Sequence, residues 1–184
     1  MRNRVAIRVA AAAIAVVAAA APGMASSQDL YVAGPLELVD AARMRLVVLG
    51  QDVAVSREQL ARVLMAQRNA AGSQVQLIAS GPASSAGIAA KRLLVQDGAY
   101  VSGASPVALL GFVTKVESSI GRVTIGRLPV DLNAVGHGIG LGTLVELGGI
   151  QPSERGVLVA TELRLGTAGS IGTGTAGSIG TGSL

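Results

Sequence analysis

One histidine, no cysteine and a scatter of carboxylates are what this chain of 184 residues offers to chemistry. His137, set between Gly136 and Gly138, could serve as a general base or a metal ligand on a flexible loop. A base needs a positioned partner, yet no Asp or Glu lies between Asp131 and Glu146. A metal site needs three or four ligands, and neither Cys nor a second His exists to supply them. His137 therefore reads as an incidental loop histidine. The lack of cysteine also removes disulfides, thiolate nucleophiles and thiolate metal ligands.

The other templates fail on context. Gly172–Gly177 spells G-x-G-x-x-G, but a dinucleotide fingerprint needs a preceding buried strand and a following helix, and this copy lies in a repetitive tail. The glycine-rich loop Gly136–Gly142 lacks the lysine and the spacing of a phosphate loop. No G-x-S-x-G elbow or S-x-x-K motif follows the N-terminal segment, and the nearest Ser–Lys pair, Lys115 and Ser118, falls at a solvent-facing strand end. Glu37, Asp40, Asp52, Glu117 and Asp131 read as surface acids rather than as the paired carboxylates of a glycosidase. Sugar sites and single-strand nucleic-acid sites both favour aromatic platforms, and the chain carries only Tyr31, Tyr100 and Phe112. No residue is assigned as catalytic, metal-binding or cofactor-binding, no cofactor is expected, and nucleic acid is excluded as a partner.

The elements that carry these residues begin with the pattern of an export signal. Arg2, Arg4 and Arg8 form a basic region, Val9–Ala21 is apolar throughout, and Pro22-Gly23 precedes a small-x-small site at Gly23-Met24-Ala25. Thirteen mostly alanine residues are too few to span a bilayer core that needs about 20. Residues 1–25 are therefore expected to be a cleaved signal peptide, leaving no transmembrane segment. Three of the 15 basic residues lie within it, so the remainder has 12 against 11 acids, a net charge of about +1.

The rest of the chain repeats itself. Gly34–Val55 lies without a gap over Gly111–Leu132, Val75-Gln76-Leu77 answers to Val145-Glu146-Leu147, and Gly87–Val95 answers to Gly156–Leu165. Val123, Ile125, Leu128, Val130 and Leu132 alternate with polar residues at the period of a half-buried strand. Ser56 and Gln59 fit a capping box before the apolar stripe Leu60, Val63, Leu64, which predicts a helix over Arg57–Asn69. The equivalent slot, Ala134–Gly142, is too glycine-rich for a helix. The reading is mainly β: two tandem small OB-like β-barrels from a duplicated unit, with one helix between the third and fourth strands of the first. Unit one spans residues 30–95, a linker 96–108, unit two 109–165, and a low-complexity tail 166–184. The tail repeats GTAGSIGT and is expected to be disordered, because it has too little apolar surface to offset ordering.

Two cores are expected, one around Val39, Leu46, Val48, Val53, Val75 and Leu77, the other around Val116, Val123, Ile125, Val130, Val145 and Leu147. The loops Ala41–Met44, Ser118–Gly121, Gly81–Ala86 and Gln151–Arg155, which flank the usual ligand cleft of such a barrel, look too short and small to grip a ligand.

The repeated pattern consists of a glycine, an apolar–x–apolar strand, an acidic turn (Asp40; Glu117) and a VxVxGxxV-like hairpin. It resembles an uncharacterised domain family of exported bacterial proteins with tandem small OB-like β-units. Met44 departs from that pattern, standing where copy two has Gly121. The resemblance supports the fold and names no catalytic residue. The function expected is that of an exported, non-catalytic interaction or envelope-associated module, periplasmic or extracellular, whose partner is another envelope or extracellular protein. Two alternatives stand beside it: a structural subunit that self-associates through β-edges, and a periplasmic hydrolase or small-ligand enzyme.

Overall fold

The computed structural model describes residues 29–85, 87–136 and 138–166. The expected signal peptide, His137 and the octapeptide tail beyond Gly166 lie outside the described residues. The fold is mainly β. Strands run β1 (Asp29–Asp40), β2 (Arg45–Val48), β3 (Gln51–Ala54), β4 (Val75–Ser84), β5 (Gly87–Ala89) and β6 (Arg92–Ala99). They continue with β7 (Pro106–Glu117), β8 (Arg122–Ile125), β9 (Leu128–Asp131), β10 (Leu144–Ile150) and β11 (Leu158–Leu165). The single α-helix among the described residues, α1 (Arg57–Asn69), follows β3. Its capping box forms as the sequence predicts: the Gln59 amide donates to Ser56 Oγ, and the Ser56 amide donates to Gln59 Oε1. Leu60 and Val63 are its buried face.

A five-stranded barrel closes through β1–β2, β2–β3, β3–β5, β5–β4 and β4–β1, with only β3–β5 parallel. Strand β1 serves two barrel neighbours in turn. Its opening residues pair with β4 and its closing residues with β2, and a register shift between Leu36 and Leu38 turns the strand from one to the other. The further strands join through β1–β7, and among them pairings run β7–β8, β8–β9, β9–β11, β11–β10 and β10–β7, again with one parallel contact, β9–β11. A continuous antiparallel sheet, β6-β4-β1-β7-β10-β11, runs through the described residues.

The two sets of pairings agree residue by residue. Leu36 faces Val48 as Val113 faces Ile125, each 77 positions on, and the shift after Leu36 recurs after Val113. Val53 faces Ile88 as Val130 faces Leu158. Gly34 faces Leu77 as Gly111 faces Val145, which corrects the sequence alignment at the fourth strand. Leu77, not Val75, is the counterpart of Val145. The two-residue displacement keeps the same face inward, so periodicity alone could not detect it.

Other boundaries also differ from expectation. The final strand of the first set is broken at Ala90-Lys91 into β5 and β6, and β6 runs to Ala99. Much of the expected linker is therefore strand, and only Tyr100–Ser105 connects to β7. Gly98, which falls within the expected linker, sits inside β6 with φ of +99°. Met44 does occupy the position of Gly121, and both are left-handed, with φ of 54° and 64°.

Ten of the twelve expected core residues are buried, and Val39 and Val116 are partly buried against them. They form one contiguous cluster rather than two, because Val32 on β1 and Leu109 on β7, each with no exposed surface, pair directly where the strands meet. Two close approaches fix the backbone further. A Cβ at Gly34 would stand 2.9 Å from Leu49 Cβ, and one at Gly111 would stand 2.7 Å from Ile125 Cγ2. Gly81 and Gly149 lie even tighter, against the carbonyl oxygens of Ala89 and Val159.

A contiguous core predicts one cooperative unfolding transition, seen alike by circular dichroism and by the fluorescence of Tyr31 and Tyr100, with Ile125→Ala lowering stability by about 2–4 kcal/mol. Gly149→Ala should cost about 1–3 kcal/mol, as overpacking against backbone does, whereas Gly148→Ala, which faces only the Glu162 side chain at 3.6 Å, should cost well under that. Differential scanning calorimetry of the two variants separates them.

Candidate functional site

Charge gathers where the β2–β3 hairpin meets the β8–β9 hairpin. Along β2, Leu46 and Val48 point into the barrel, so Arg45 and Val47 lie on its outer side. Asp52 lies outward on β3 beside them. The turn residues of the two hairpins touch: the Arg127 amide donates to the Gly50 carbonyl at 3.1 Å, and Gln51 Nε2 donates to the Ile125 carbonyl at 2.6 Å. Gly50 has φ of +67°, and a Cβ there would stand 2.9 Å from the Leu128 amide, so only glycine lets the turns approach.

This apposition creates a shallow groove with two basins. One, of about 280 Å³, is walled by Leu38, Asp40, Arg43, Arg45 and Asp52; the other, of about 130 Å³, by Glu37, Gly50, Pro129, Gln151 and Arg155. Val47 and Arg127 border both. Both basins are smaller than the roughly 300–1,000 Å³ of typical small-molecule pockets. The groove suits side chains laid across it better than an enclosed substrate.

Its charges are largely engaged with one another. Arg43 Nη1 meets Asp40 Oδ2 at 3.1 Å, and Arg127 Nη2 meets Asp52 Oδ1 at 2.5 Å across the hairpins. Both pairs are exposed, where such pairs contribute about 0–1 kcal/mol. The Arg43 backbone amide, with its guanidinium, holds the Asp40 carboxyl below its ordinary range. Glu37 is half-buried, and burial raises its pKa, opposed by the Gly50 amide that donates to its carboxylate at 3.0 Å and by Arg155 and Arg127. Arg155 Nη2 donates to the Glu37 main-chain carbonyl at 2.7 Å. Behind the groove, Gln151 is completely buried, donating to the Gly156 carbonyl and accepting from the Tyr100 hydroxyl.

The acids singled out in the sequence are thus divided by the fold. Glu37, Asp40 and Asp52 converge on the groove. Glu117 is bound by Lys115 Nζ at 2.6 Å, which lowers its pKa, and Asp131 accepts from the Asn133 amide. Lys115 is therefore committed to a carboxylate rather than to Ser118. Among the described residues no group of three His, Cys, Asp or Glu could hold a metal ion. Two of the short loops contribute more than their length suggests, since Arg43 and Arg155 reach the groove from Ala41–Met44 and Gln151–Arg155. The signal missed in the sequence was that these two loops each carry an arginine. Near the start of β1, the Tyr31 hydroxyl donates to Glu146 Oε1 at 2.7 Å, and burial together with that carboxylate raises the tyrosine pKa.

No helix among the described residues is long and apolar enough to cross a membrane. No protein-family model matches the chain, and no curated protein sequence matches it significantly.

Glu37 gives a pH-dependent prediction. Its folded-state pKa is raised, so the unfolded chain gives up this proton at lower pH than the folded one. Stability from this group is greatest below the unfolded carboxyl range near ~4.3 and falls as pH rises through the folded value. Glu37→Gln keeps an acceptor for the Gly50 amide and removes the buried charge. It should modestly raise stability at pH 7 and leave it unchanged at about pH 3.5, as read by urea denaturation at both pH values.

Proposed function

We propose that this protein is an exported, non-catalytic interaction module, built of two tandem OB-like barrels from a duplicated unit, that engages another envelope or extracellular protein through the charged groove. Support for the duplication comes from the shared registers, the paired close approaches at Gly34/Gly111 and Gly81/Gly149, and the matched turn at Met44/Gly121. The circuit 1-2-3-5-4-1, with its third and fifth strands parallel and a helix after the third, is the order of an OB barrel. Val32 and Leu109 are equivalent positions and pair with each other, as do Gly50 and Arg127 through their main chains. The halves therefore meet like the protomers of a two-fold dimer.

The observation that carries the functional reading is the groove itself. Its basins are small and lined by mixed charges from separate segments of the chain, which fits a contact surface better than a reaction chamber. Export rests on the Met1–Ala25 pattern. The test is a photo-cross-linking residue placed at position 43, and a control at Met65, whose side chain is exposed on α1. In cells that export the protein, position 43 should yield a discrete heavier adduct and position 65 none. Absence of an adduct from positions 43, 45 and 127 alike defeats the reading.

A second reading, association of copies into an assembly, draws on the outermost strands of the spanning sheet. Leu94 on β6 and Leu165 on β11 are 61% and 60% exposed, and each strand has little or no pairing on its outer side. Light scattering at rising concentration decides it: a strict monomer excludes this reading.

A further inference from the structure

The correspondence at 77 residues supplies an internal control for the groove. At the positions equivalent to Glu37, Arg43 and Asp52, the later strands carry Thr114, Ile120 and Pro129. They form the same registers without those charges. The fold does not need an ionic residue at these three places; Asp40 and Arg45, by contrast, correspond to Glu117 and Arg122, so only Glu37, Arg43 and Asp52 are set apart by the comparison.

The charges also do not balance. Four guanidinium groups, those of Arg43, Arg45, Arg127 and Arg155, face three carboxylates, those of Glu37, Asp40 and Asp52. Asp40 and Asp52 are taken by Arg43 and Arg127, and the Glu37 carboxylate is turned to the Gly50 amide. The Arg45 guanidinium has no hydrogen-bonding or ion-pair partner among the described residues, although it sits on a half-buried strand position. The Arg155 guanidinium is bound only to a main-chain carbonyl. Arg155 is moreover held at φ of 54°, a left-handed backbone that non-glycine residues adopt uncommonly. One guanidinium without a carboxylate hydrogen-bonded to it thus stands in each basin, with Val47 between the basins and the Leu38 side chain, 54% exposed, at the rim.

We infer that this groove binds an extended acidic segment of a protein partner, with one carboxylate on Arg45 and a second on Arg155; the inference rests on the reading of the chain as an interaction module. Guanidinium matches carboxylate in a two-pronged geometry, and an arginine without a carboxylate of its own is free to accept one. A polyphosphate or sulfated glycan fits less well. Such a chain offers no aliphatic group to set against Val47, and no aromatic side chain lines the groove to stack a base or a sugar. A peptide can place acids at the two arginines and an apolar residue over Val47. The shallow basins accept side chains without requiring a cavity.

The test uses hexaglutamate as the probe, titrated into the purified ¹⁵N-labelled protein at low salt and followed by amide shifts. Saturable shifts should be confined to residues 37–52, 127–129 and 151–155. Arg45→Ala and Arg155→Ala should each weaken binding about tenfold, as loss of a charge-assisted contact does, while Arg62→Ala, which removes the same charge from α1, should not. Arg45 makes no hydrogen bond or ion pair among the described residues, so Arg45→Ala removes none, and an unchanged circular-dichroism melt shows that the variant is folded. Three results overturn the inference: shifts spread over the whole surface, affinity unchanged in both groove variants, or inorganic phosphate or hexalysine binding as tightly as hexaglutamate. Silence toward hexaglutamate with the cross-link from position 43 retained would refute the acidic segment alone and leave the interaction module standing.

Discussion

Strand β1 is the member on which the rest of this molecule hangs. Over Tyr31–Ala33 both of its edges are used, with β4 on one side and β7 on the other. Beyond the register shift after Leu36 it hands over to β2. Three pairings from one strand require a segment buried on both sides, and Leu30–Leu36 supplies it, with every residue but Tyr31 buried. The short contact with β7 involves few residues, yet it places Val32 against Leu109 and so merges what could have been two cores. That merger offsets the weakness of a small barrel without tryptophan, since a domain of about 60 residues buries only about 60% of its unfolded surface.

The groove is a product of the same junction. Once β1 and β7 pair, the hairpins β2–β3 and β8–β9 are brought turn against turn, and Gly50 allows the contact to close. Arg127 then reaches Asp52, and Arg155 reaches the Glu37 main chain. Most of the charged groups involved are partly exposed, so they contribute little to stability individually. Their arrangement nonetheless sets which groups remain unsatisfied at the surface.

Most of the secondary structure was legible in the residues. Period-2 alternation marked β8 and β9, and the Ser56–Gln59 capping box located α1, because both signals are local. The break at Ala90-Lys91 was not legible, since it arises where β5 leaves β3, and nothing in those two residues demands it. The two-residue error at β4 has a similar cause: the strand's faces were readable, its register against β1 was not. The groove was invisible for a stronger reason. Glu37, Asp52, Arg127 and Arg155 come from separate segments of the sequence, and two of them, Glu37 and Asp52, read as ordinary surface acids until the junction assembles the four. The loops that carry Arg43 and Arg155 looked unpromising because loop length, rather than the reach of an arginine, was the criterion.

The spanning sheet also governs how this protein would bear a load. Leu110 faces Tyr31, Glu146 faces Leu110 and Arg164 faces Glu146, so the start of β1 and the end of β11 come out on the same transverse row. Three inter-strand steps separate them, about 14 Å at ordinary sheet spacing. Tension between Asp29 and Gly166 therefore runs across the strands and not along them. The hydrogen bonds of β10–β11 would break in succession, as a zipper opens, instead of resisting together in shear. Anchored by those two points, the molecule would yield mechanically at low force while remaining thermodynamically a single unit.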